Sequence, residues 1–245
     1  MKPLHDVETG MQKEQQPQGF GAAYLADDAE KMIRLGFIRK VFVILSIQLA
    51  VTFGIAVFFS AVEPVKQFCI ANNWFVWVTF LAAFAAMLVL ICKPRLARQH
   101  PNNIIGLAVF TVLESLFIGA VSAHSELSDV LFAIAITLGV SLSLIAFASQ
   151  TKIDFTSKGM YLYVALWVLI LLGIVMPFNT QGSIIYSGLG ALLFSMYIVY
   201  DAQLIFGGKH KKFKFGVDDY VFAALSLYLD IINLFLIILG GSRRD

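Results

Sequence analysis

Two aspartates lie inside apolar runs of the C-terminal third of the chain. Asp201 occurs in FSMYIVYDAQLIF, and Asp230 occurs in VFAALSLYLDIINLFLIIL. An ionised carboxylate in hydrocarbon costs roughly 2.5–3.5 kcal/mol on insertion scales, so such residues face the interior of a helix bundle and mark ion or proton pathways. We therefore take Asp201 and Asp230 as the candidate gate for ions or protons.

The chemistry of the two aspartates depends on whether they meet. Two carboxylates in contact at a site of low dielectric share one proton, because both cannot ionise cheaply. The shared proton holds the two helices together, and its loss creates a repulsion that a cation can relieve. Ca²⁺ binds several oxygen ligands at about 2.3–2.6 Å. The pair therefore predicts pH sensing and a weak, transient Ca²⁺ site, which suits conduction better than storage, and we expect no resident cofactor.

Helical spacing places the aspartates on two polar stripes that could face each other. Small residues in the stripes favour close approach of the two helices. We expect Asn233, Ser226 and Tyr197 to supply further oxygen ligands. The sixth-span stripe comprises Ser187, Gly190, Phe194, Tyr197 and Asp201, and the seventh-span stripe comprises Asp219, Ala223, Ser226, Asp230 and Asn233.

The depth of the two aspartates leaves an alternative open. Asp201 lies roughly 7–8 Å from the end of its predicted span, whereas Asp230 lies roughly 15 Å into its own, at 1.5 Å per residue. Direct contact therefore requires that one of the predicted helix boundaries shift. If neither boundary shifts, the two carboxylates are separately solvated or capped.

A third acidic residue, Glu114, lies in the predicted third span within TVLESLFIG. Thr111, one turn earlier, shares its helix face. Glu114 could be a secondary ion or proton site on the same pathway. The alternative is a hydrogen bond to Gln48 in the first span, where Gln48 and Thr52 share a face, or to a serine of the fourth span.

The composition indicates a protein embedded in the lipid bilayer. Of the 245 residues, 59% are hydrophobic and 14% are charged, against about 25% charged in soluble domains. Apolar runs long enough to cross a ~30 Å hydrocarbon core recur along the chain. We predict an all-α, polytopic membrane protein and no nucleic-acid partner. The seven predicted spans lie at about 41–62, 74–92, 103–122, 129–149, 160–178, 183–206 and 220–239.

The polar ends and loops predict the domain organisation and the orientation. Residues 1–30 are rich in glycine and glutamine and predict a disordered tail, whereas residues 31–245 form the membrane domain. The far side of the predicted membrane carries Lys66, Arg243 and Arg244. The other side is richer in basic residues, which predicts a cytoplasmic N-terminus. Its basic residues are Lys31, Arg34, Arg39, Lys40, Lys93, Arg95, Arg98, Lys152, Lys158, Lys209, Lys211, Lys212 and Lys214.

The C-terminal arginines and the segment of residues 31–40 add two further expectations. The terminal arginines favour the cytosol, so a six-span form with a re-entrant last segment stays open as an alternative. Residues 31–40 form a short basic amphipathic segment. We interpret it as a juxtamembrane anchor; the alternative is that it lies on the membrane surface, where Lys31, Arg34, Arg39 and Lys40 contact anionic lipid headgroups.

Three stretches carry a resemblance to a known family. They are FIRKVFVILSIQLAVTFG, LIAFASQTKIDFTSKGMYL and SMYIVYDAQLIFGGKHKKFKFGVDDYVFAALSLYLDIINLFLIIL. Over about residues 35–240 the chain resembles the Bax-inhibitor family, in particular its lifeguard branch. The resemblance implies a seven-helix bundle with the last helix at its centre. It also implies a pH-sensitive calcium leak across an endomembrane, of the endoplasmic reticulum or Golgi, and a role in restraining cell death.

The resemblance also bears on single residues. It implies that Asp201 and Asp230 form the functional centre. In some relatives an arginine of the second span pairs with the aspartates and latches the pore, but here that span has no internal arginine. Lys93 and Arg95, at the end of the span, are the candidate latch cations.

Two other classes of function compete with a calcium leak. Intramembrane aspartyl proteases also place two aspartates on adjacent spans, and Tyr200-Asp201 fits their first motif. The residues before Asp230, however, are Leu227-Tyr228-Leu229 instead of Gly-x-Gly, and the later Pro-Ala-Leu element is absent, so we do not predict an enzyme. The remaining alternative is a non-conducting regulator that acts through membrane-protein partners in cell-death control.

Overall fold

The computed structural model describes residues 18–93, 99–175, 180–207 and 211–242, with the backbone alone for 18–27, 180–183 and 242. Within these ranges the regular structure is helical. Short 3₁₀ turns at Thr156–Lys158 and Val217–Asp219 precede two of the helices. The helices are α1 (Gln18–Ala61), α2 (Glu63–Ala71), α3 (Trp74–Cys92), α4 (Asn102–Ser122), α5 (Leu127–Gln150), α6 (Gly159–Val175), α7 (Thr180–Phe206) and α8 (Tyr220–Ser242).

Seven of the described segments are long and apolar enough to cross a membrane. They comprise Asp28–Ala61 of α1, the whole of α3, α4 and α5, the segment Thr156–Val175 that contains α6, Ile184–Phe206 of α7, and Val217–Gly241, which contains α8 up to Gly241. The prediction of an all-α polytopic membrane protein with seven spans is thereby confirmed. The last span, α8, is one continuous helix of 23 residues, which fits a crossing helix and not a re-entrant segment.

The first helix begins earlier than the sequence suggested. Residues 18–30 were predicted to belong to the disordered tail, but they form the first turns of α1. Alanines at positions 22, 23, 26 and 29 are strong helix formers and explain the extension. Lys31 also pairs with Asp28 at 3.3 Å, three residues apart on the same helix face. Residues 1–17 lie outside the described residues.

The last helix occupies the centre of the bundle. In its most hydrophobic stretch of 18 residues, 61% of the residues are buried, whereas the corresponding share is 11% for the span that contains α6. It packs against α1, α4, α5 and α7. The outer helices instead expose large apolar side chains such as Trp77 and Ile174, which is the surface that lipid covers. The expectation of a central last helix is therefore confirmed.

One face of α8 packs tightly against α7. A Cβ atom at Gly190 of α7 would lie 2.7 Å from Cδ1 of Ile237, and one at Gly241 would lie 3.3 Å from the side chain of Ser187. Glycine therefore lets the two helices approach more closely than a larger residue would allow. This close approach is what brings the polar stripes of α7 and α8 together.

The opposite face of α8 is joined to α1 and α4 by hydrogen bonds. Tyr228 of α8 is fully buried, and its hydroxyl oxygen lies 2.8 Å from Oγ1 of Thr52. The Thr52 hydroxyl is also 2.8 Å from that of Ser115. One turn away, the Gln48 amide donates to the Thr111 hydroxyl at 2.9 Å. Gln48 and Thr52 thus share a buried face, as predicted, and this network fixes the position of α8.

The α5–α6 and α7–α8 loops meet at one end of the bundle, together with the start of the α1 span. We call this the basic end and define it by residues 28–40, 150–158, 206–207 and 211–219. Gln203, fully buried near the end of α7, accepts a hydrogen bond from the Phe155 amide at 2.8 Å and donates to the Ile153 carbonyl at 2.9 Å. The Lys211 ammonium donates to the same Ile153 carbonyl at 2.6 Å. Gln203 therefore anchors the α5–α6 loop to α7.

Asp154 joins the two loops to each other. Its carboxylate accepts hydrogen bonds from the Thr156 hydroxyl at 2.6 Å and from the Lys212 amide at 3.1 Å. The Thr156 hydroxyl holds the pKa of the Asp154 carboxyl below its usual range, and the Lys212 amide and the Lys211 charge act in the same direction. Because the folded pKa is lowered, this contact stabilises the fold above the unfolded pKa and is lost only as the pH falls through the lowered value.

We expect Gly190→Leu to destabilise the packing of α7 on α8. A leucine side chain there overlaps Ile237, and overpacking of this kind costs about 1–3 kcal/mol. Thermal unfolding in detergent should show a lower Tm. The matched control is Gly188→Leu on the same helix, where a Cβ meets nothing described within 4 Å. Equal losses in the two variants would contradict the close approach of the two helices.

We expect Tyr228→Phe to lower the stability of the bundle by about 1–3 kcal/mol, because Thr52 loses a buried hydrogen-bond partner. The measurement is chemical or thermal unfolding in detergent. Tyr163→Phe is the control, since Tyr163 is 55% exposed on α6 and its hydroxyl has no such role. A parent-like Tm for Tyr228→Phe would show that the network does not hold α8.

Candidate ion and proton site

Asp201 of α7 and Asp230 of α8 meet inside the bundle. Their carboxyl groups lie within hydrogen-bonding reach of each other, and the residues are only 6% and 7% exposed. The contact that the sequence left open is therefore present. It removes the alternative of two separately solvated carboxylates.

The prediction that direct contact requires a shifted helix boundary is wrong, because α7 ends at Phe206 and α8 begins at Tyr220 as predicted. The depth difference between the aspartates is instead absorbed at the basic end. Asp201 is five residues from the end of α7 and Asp230 ten residues from the start of α8, so α8 extends about 7–8 Å farther toward the basic end than α7 does. The connection doubles back along α7, where the Phe215 amide donates to the Leu204 carbonyl at 3.0 Å. The chain then continues through the 3₁₀ turn Val217–Asp219 into α8.

The predicted neighbours of the pair divide into two groups. The Ser226 hydroxyl lies within reach of the Asp201 carboxyl, although it also donates to the Phe222 carbonyl at 2.8 Å. Tyr197 is close enough to interact electrostatically with both aspartates. Asn233 instead donates its amide to the carbonyl of Leu229 in its own helix at 2.8 Å. Ser226 and Tyr197 therefore surround the pair more closely than Asn233 does.

The hydrogen-bonding state of the pair has a chemical consequence. Oδ2 of Asp230 is buried and finds no hydrogen-bond partner among the described residues. A buried carboxylate oxygen without a donor is costly. A proton on the pair, or a cation beside it, removes that cost. The geometry therefore favours a pair that carries at least one proton when no cation is bound.

An open surface cavity lies along α8 between the basic end and Ser226. Its volume is about 510 Å³, and it is lined by Asp219 and Ser226 together with apolar residues that include Ile91, Phe222 and Leu229. Asp219 and Ser226 both belong to the polar stripe predicted for the last span. Because Ser226 also reaches Asp201, the cavity ends one side chain away from the pair.

The described residues contain no cluster of three or more histidine, cysteine, aspartate or glutamate side chains that could hold a metal ion. Asp201 and Asp230 alone supply two carboxylates. Ca²⁺ takes six to eight oxygen ligands, so these two carboxylates by themselves do not complete a Ca²⁺ site.

Glu114 lies on another side of the central helix. It is half-buried on α4 and interacts electrostatically with Tyr228. Tyr228 and Asp230 are two residues apart and so point to nearly opposite faces of α8. The considered hydrogen bond between Gln48 and Glu114 is not among the described contacts, in which the Gln48 amide donates to Thr111. Glu114 therefore stands apart from the aspartate pair.

The candidate latch cations are not brought to the pair. Lys93 follows the last residue of α3 and is exposed, and none of the described contacts joins it to Asp201 or Asp230. Arg95 lies outside the described residues. The expected pairing of the aspartates with Lys93 therefore has no support in the described part of the chain.

Arg34 does not fit the alternative in which the cations of residues 31–40 contact lipid headgroups. Its guanidinium donates to the carbonyl groups of Leu204 at 2.7 Å, Phe215 at 2.6 Å and Phe206 at 3.3 Å. The ammonium of Lys40 also turns inward, 3.3 Å from the centre of the Tyr220 ring. Helix C-termini leave carbonyl groups without helical partners, and this demand draws Arg34 inward.

Sequence reasoning missed Arg34, Gln203 and Tyr228 as positioning residues. The role of each residue is evident only once the fold is known. Gln203 is an amide at the end of an apolar helix, two residues after Asp201, and Tyr228 stands two residues before Asp230. The sequence cannot say which carbonyl groups or hydroxyl groups these side chains meet, because their partners lie at least 48 residues away.

Comparisons with known proteins identify the family of the chain. The family model described as "Inhibitor of apoptosis-promoting Bax1" matches residues 34–241. The chain is 35% identical over 217 residues to Protein lifeguard 3 of Homo sapiens, covering 86% of this chain and 69% of that protein. It is 34% identical over 223 residues to Protein lifeguard 3 of Mus musculus, covering 87% and 71%.

A fungal relative is similar to the same extent. The chain is 36% identical over 218 residues to Bax inhibitor 1 of Schizosaccharomyces pombe, covering 86% of this chain and 77% of that protein. The matched region contains all seven spans apart from the first turns of α1. The family model, which covers most of the chain, and these relatives show that the chain belongs to the Bax-inhibitor family of integral membrane proteins.

Proposed function

We propose that this protein is a pH-sensitive calcium leak channel of an endomembrane, gated by Asp201 and Asp230. The observation that carries the proposal is the contact between these two buried carboxyl groups on α7 and α8. A helix pair with a purely structural role gains nothing from a buried carboxyl pair, since burial of charge is costly. A pathway for cations and protons does gain from such a pair, because the carboxyl groups can bind the ion or proton that passes.

The proposed gate works through the charge of the pair. With a shared proton, the two carboxyl groups attract each other and hold α7 against α8. When the proton is lost, two negative charges repel in a medium of low dielectric. Ca²⁺ then replaces the proton as the compensating charge, and water supplies the remaining ligands. Protons and Ca²⁺ therefore compete for the same two side chains.

The cavity at the basic end supports a cation route to the gate. Asp219 provides a negative charge along it, and Ser226 provides a hydroxyl oxygen where it approaches Asp201. Between them the wall is mostly apolar, so an ion is not held tightly. Weak binding at successive sites is what conduction requires.

The proposed orientation places the basic end in the cytoplasm, together with the N-terminus. Lys158, Lys211, Lys212 and Lys214 lie there, and cytoplasmic loops carry an excess of lysine and arginine. The endomembrane location, of the endoplasmic reticulum or Golgi, and the role in restraining cell death rest on family membership. The names of the relatives, Protein lifeguard 3 and Bax inhibitor 1, support the role in restraining cell death.

A second candidate function is a non-conducting regulator that acts through membrane-protein partners. The observation that favours it is the description of the family as inhibitors of another protein, Bax1. The exposed apolar faces of α3 and α6 would be the surfaces for such a partner within the bilayer. On this alternative, the aspartate pair tunes the shape of the bundle without passing ions.

The experiment that separates the candidates is Ca²⁺ flux into liposomes that contain only the purified protein. We expect flux that rises with pH across about pH 5–8, because loss of the shared proton opens the gate. Asp201→Asn and Asp230→Asn each remove one ionisable group, and each should reduce the pH-dependent part of the flux by about tenfold or more.

The matched control for this experiment is Asp218→Asn. Asp218 is an exposed acid in the 3₁₀ turn before α8, so its loss changes the net charge equally while leaving the pair intact. A parent protein that passes no Ca²⁺ without a partner would favour the regulator. Flux that is indifferent to both pair variants would reject the gate even if the channel itself remained.

A further prediction concerns Glu114. Because it neighbours Tyr228 on the other side of α8, we expect Glu114→Gln to leave the pH profile of the flux unchanged within about twofold. The readout is the same liposome assay. A shift of the pH midpoint as large as that of Asp201→Asn would place Glu114 on the conduction pathway after all.

A further inference from the structure

Arg34 forms a three-point contact between the first span and the end of the sixth. Its Nη2, Nη1 and Nε atoms donate to the carbonyl oxygens of Leu204, Phe215 and Phe206, at 2.7, 2.6 and 3.3 Å. Its guanidinium also lies 4.7 Å from the centre of the Phe37 ring. Planar guanidinium is the side chain best suited to bridge several acceptors at once.

The acceptors explain why an arginine is needed at this place. Leu204 and Phe206 belong to the last turn of α7, whose carbonyl groups lack helical donors and carry the negative end of the helix dipole. Gly207 follows with a φ of 63°, which turns the chain away. A Cβ atom at Gly207 would lie 2.9 Å from Nη2 of Arg34, so glycine also makes room for the guanidinium.

The turn that Arg34 holds is the turn that carries Asp201. Leu204 is three residues after Asp201, less than one helical turn away. Elsewhere α1 and α7 pack against each other only sparsely, whereas α1 packs extensively on α4 and α8. Arg34 is therefore the principal polar link between α1 and the end of α7 among the described residues.

Asp230, the other residue of the aspartate pair, lies on α8, and α8 is held in place independently of Arg34. Tyr228 bonds to Thr52, and the Tyr220 hydroxyl accepts a hydrogen bond from the Asn103 amide. The central helix is thus fixed to α1 and α4 over two turns. If the two carboxyl groups separate, α7 is the helix that is free to move.

We propose that Arg34 is a positioning residue that clamps the end of α7 to α1 and so holds Asp201 against Asp230 in the closed state. The effect on conduction rests on the proposed function, whereas the effect on geometry does not. Releasing the clamp destabilises the closed pair, so less loss of protons is needed for opening. The pH midpoint of flux should therefore move to lower pH.

Other charged or titratable groups lie near Arg34 and near the aspartate pair. Glu30, Lys31 and Lys214 line the 640 Å³ cavity beside Arg34, and Lys214 pairs with Glu30 at 3.2 Å on the exposed surface. Exposed pairs of this kind contribute little. Around the aspartates, the titratable neighbours are Tyr197 and, beside Asp201, Tyr200. None of these replaces the three hydrogen bonds of Arg34.

The test compares Arg34→Gln, Arg34→Lys and the control Arg39→Gln. Arg39 is an exposed arginine five residues along the same helix, so its loss removes one positive charge from the same segment and breaks none of the described contacts. Cys92 is a free, exposed cysteine, so each variant is made in the full chain with Cys92→Ser. Spin labels are attached through Leu35→Cys and Met196→Cys, at two positions that are both exposed. The distance between labels reports the separation of α1 and α7 in liposomes without reference to flux.

We expect a longer and broader distance distribution for Arg34→Gln, an intermediate one for Arg34→Lys and the parent distribution for Arg39→Gln. In the liposome assay, Ca²⁺ flux at the acidic end of the range should rise about tenfold for Arg34→Gln. Arg34→Lys keeps the positive charge but loses the planar set of N–H donors. An intermediate distance and flux in this variant would show that the geometry of the donors contributes in addition to the charge.

The outcomes that overturn the clamp are distinct from those that overturn the channel. Parent-like distances in Arg34→Gln and Arg34→Lys reject the clamp, whatever the flux. If Arg34→Gln does not fold, Arg34→Lys decides alone, and a parent-like distance and pH profile in that variant reject the clamp. If the parent passes no Ca²⁺, the channel proposal fails, and the distances still decide the role of Arg34.

Discussion

The contact between two carboxyl groups in an apolar interior is the constraint on which the rest of the bundle depends. Such a contact is unfavourable unless a proton or a cation compensates it, so the helices that carry it must be held in place by other interactions. The close approach at Gly190, the Tyr228 network and the loop cap at Gln203 all act on α7 or α8. The polar contact is thereby confined to one geometry.

These supports are distributed unequally between the two helices. The central helix α8 is enclosed by α1, α4, α5 and α7, and its polar side chains bond to two of them. The end of α7 depends on Arg34, Gln203 and the loop contacts of Asp154. A bundle built in this way has a fixed centre and one helix whose end is held by a few hydrogen bonds, and those bonds lie at the basic end.

Much of the fold was predictable from the sequence because the membrane imposes it. Apolar runs of sufficient length can only be helices in lipid, so the seven spans and the buried position of Asp201 and Asp230 follow from composition and periodicity. The start of α1 was placed too late, since a polar segment rich in alanine extends the helix without an apolar signal. The roles of Arg34 and Gln203 were out of reach, because backbone carbonyl groups leave no mark in a sequence. The partners of Gln48 and Glu114 likewise depend on which helices become neighbours.

The central position of α8 has a consequence for how the protein is made. Without its neighbouring helices, α8 would expose Asp230 to lipid, and this makes the insertion of α8 into the bilayer unfavourable. In the folded bundle the Asp201 carboxyl group of α7 lies beside this acid, and the Thr52 hydroxyl group, itself bonded to Ser115, lies beside Tyr228. We therefore expect the insertion of α8 to be coupled to the presence of α1, α4 and α7.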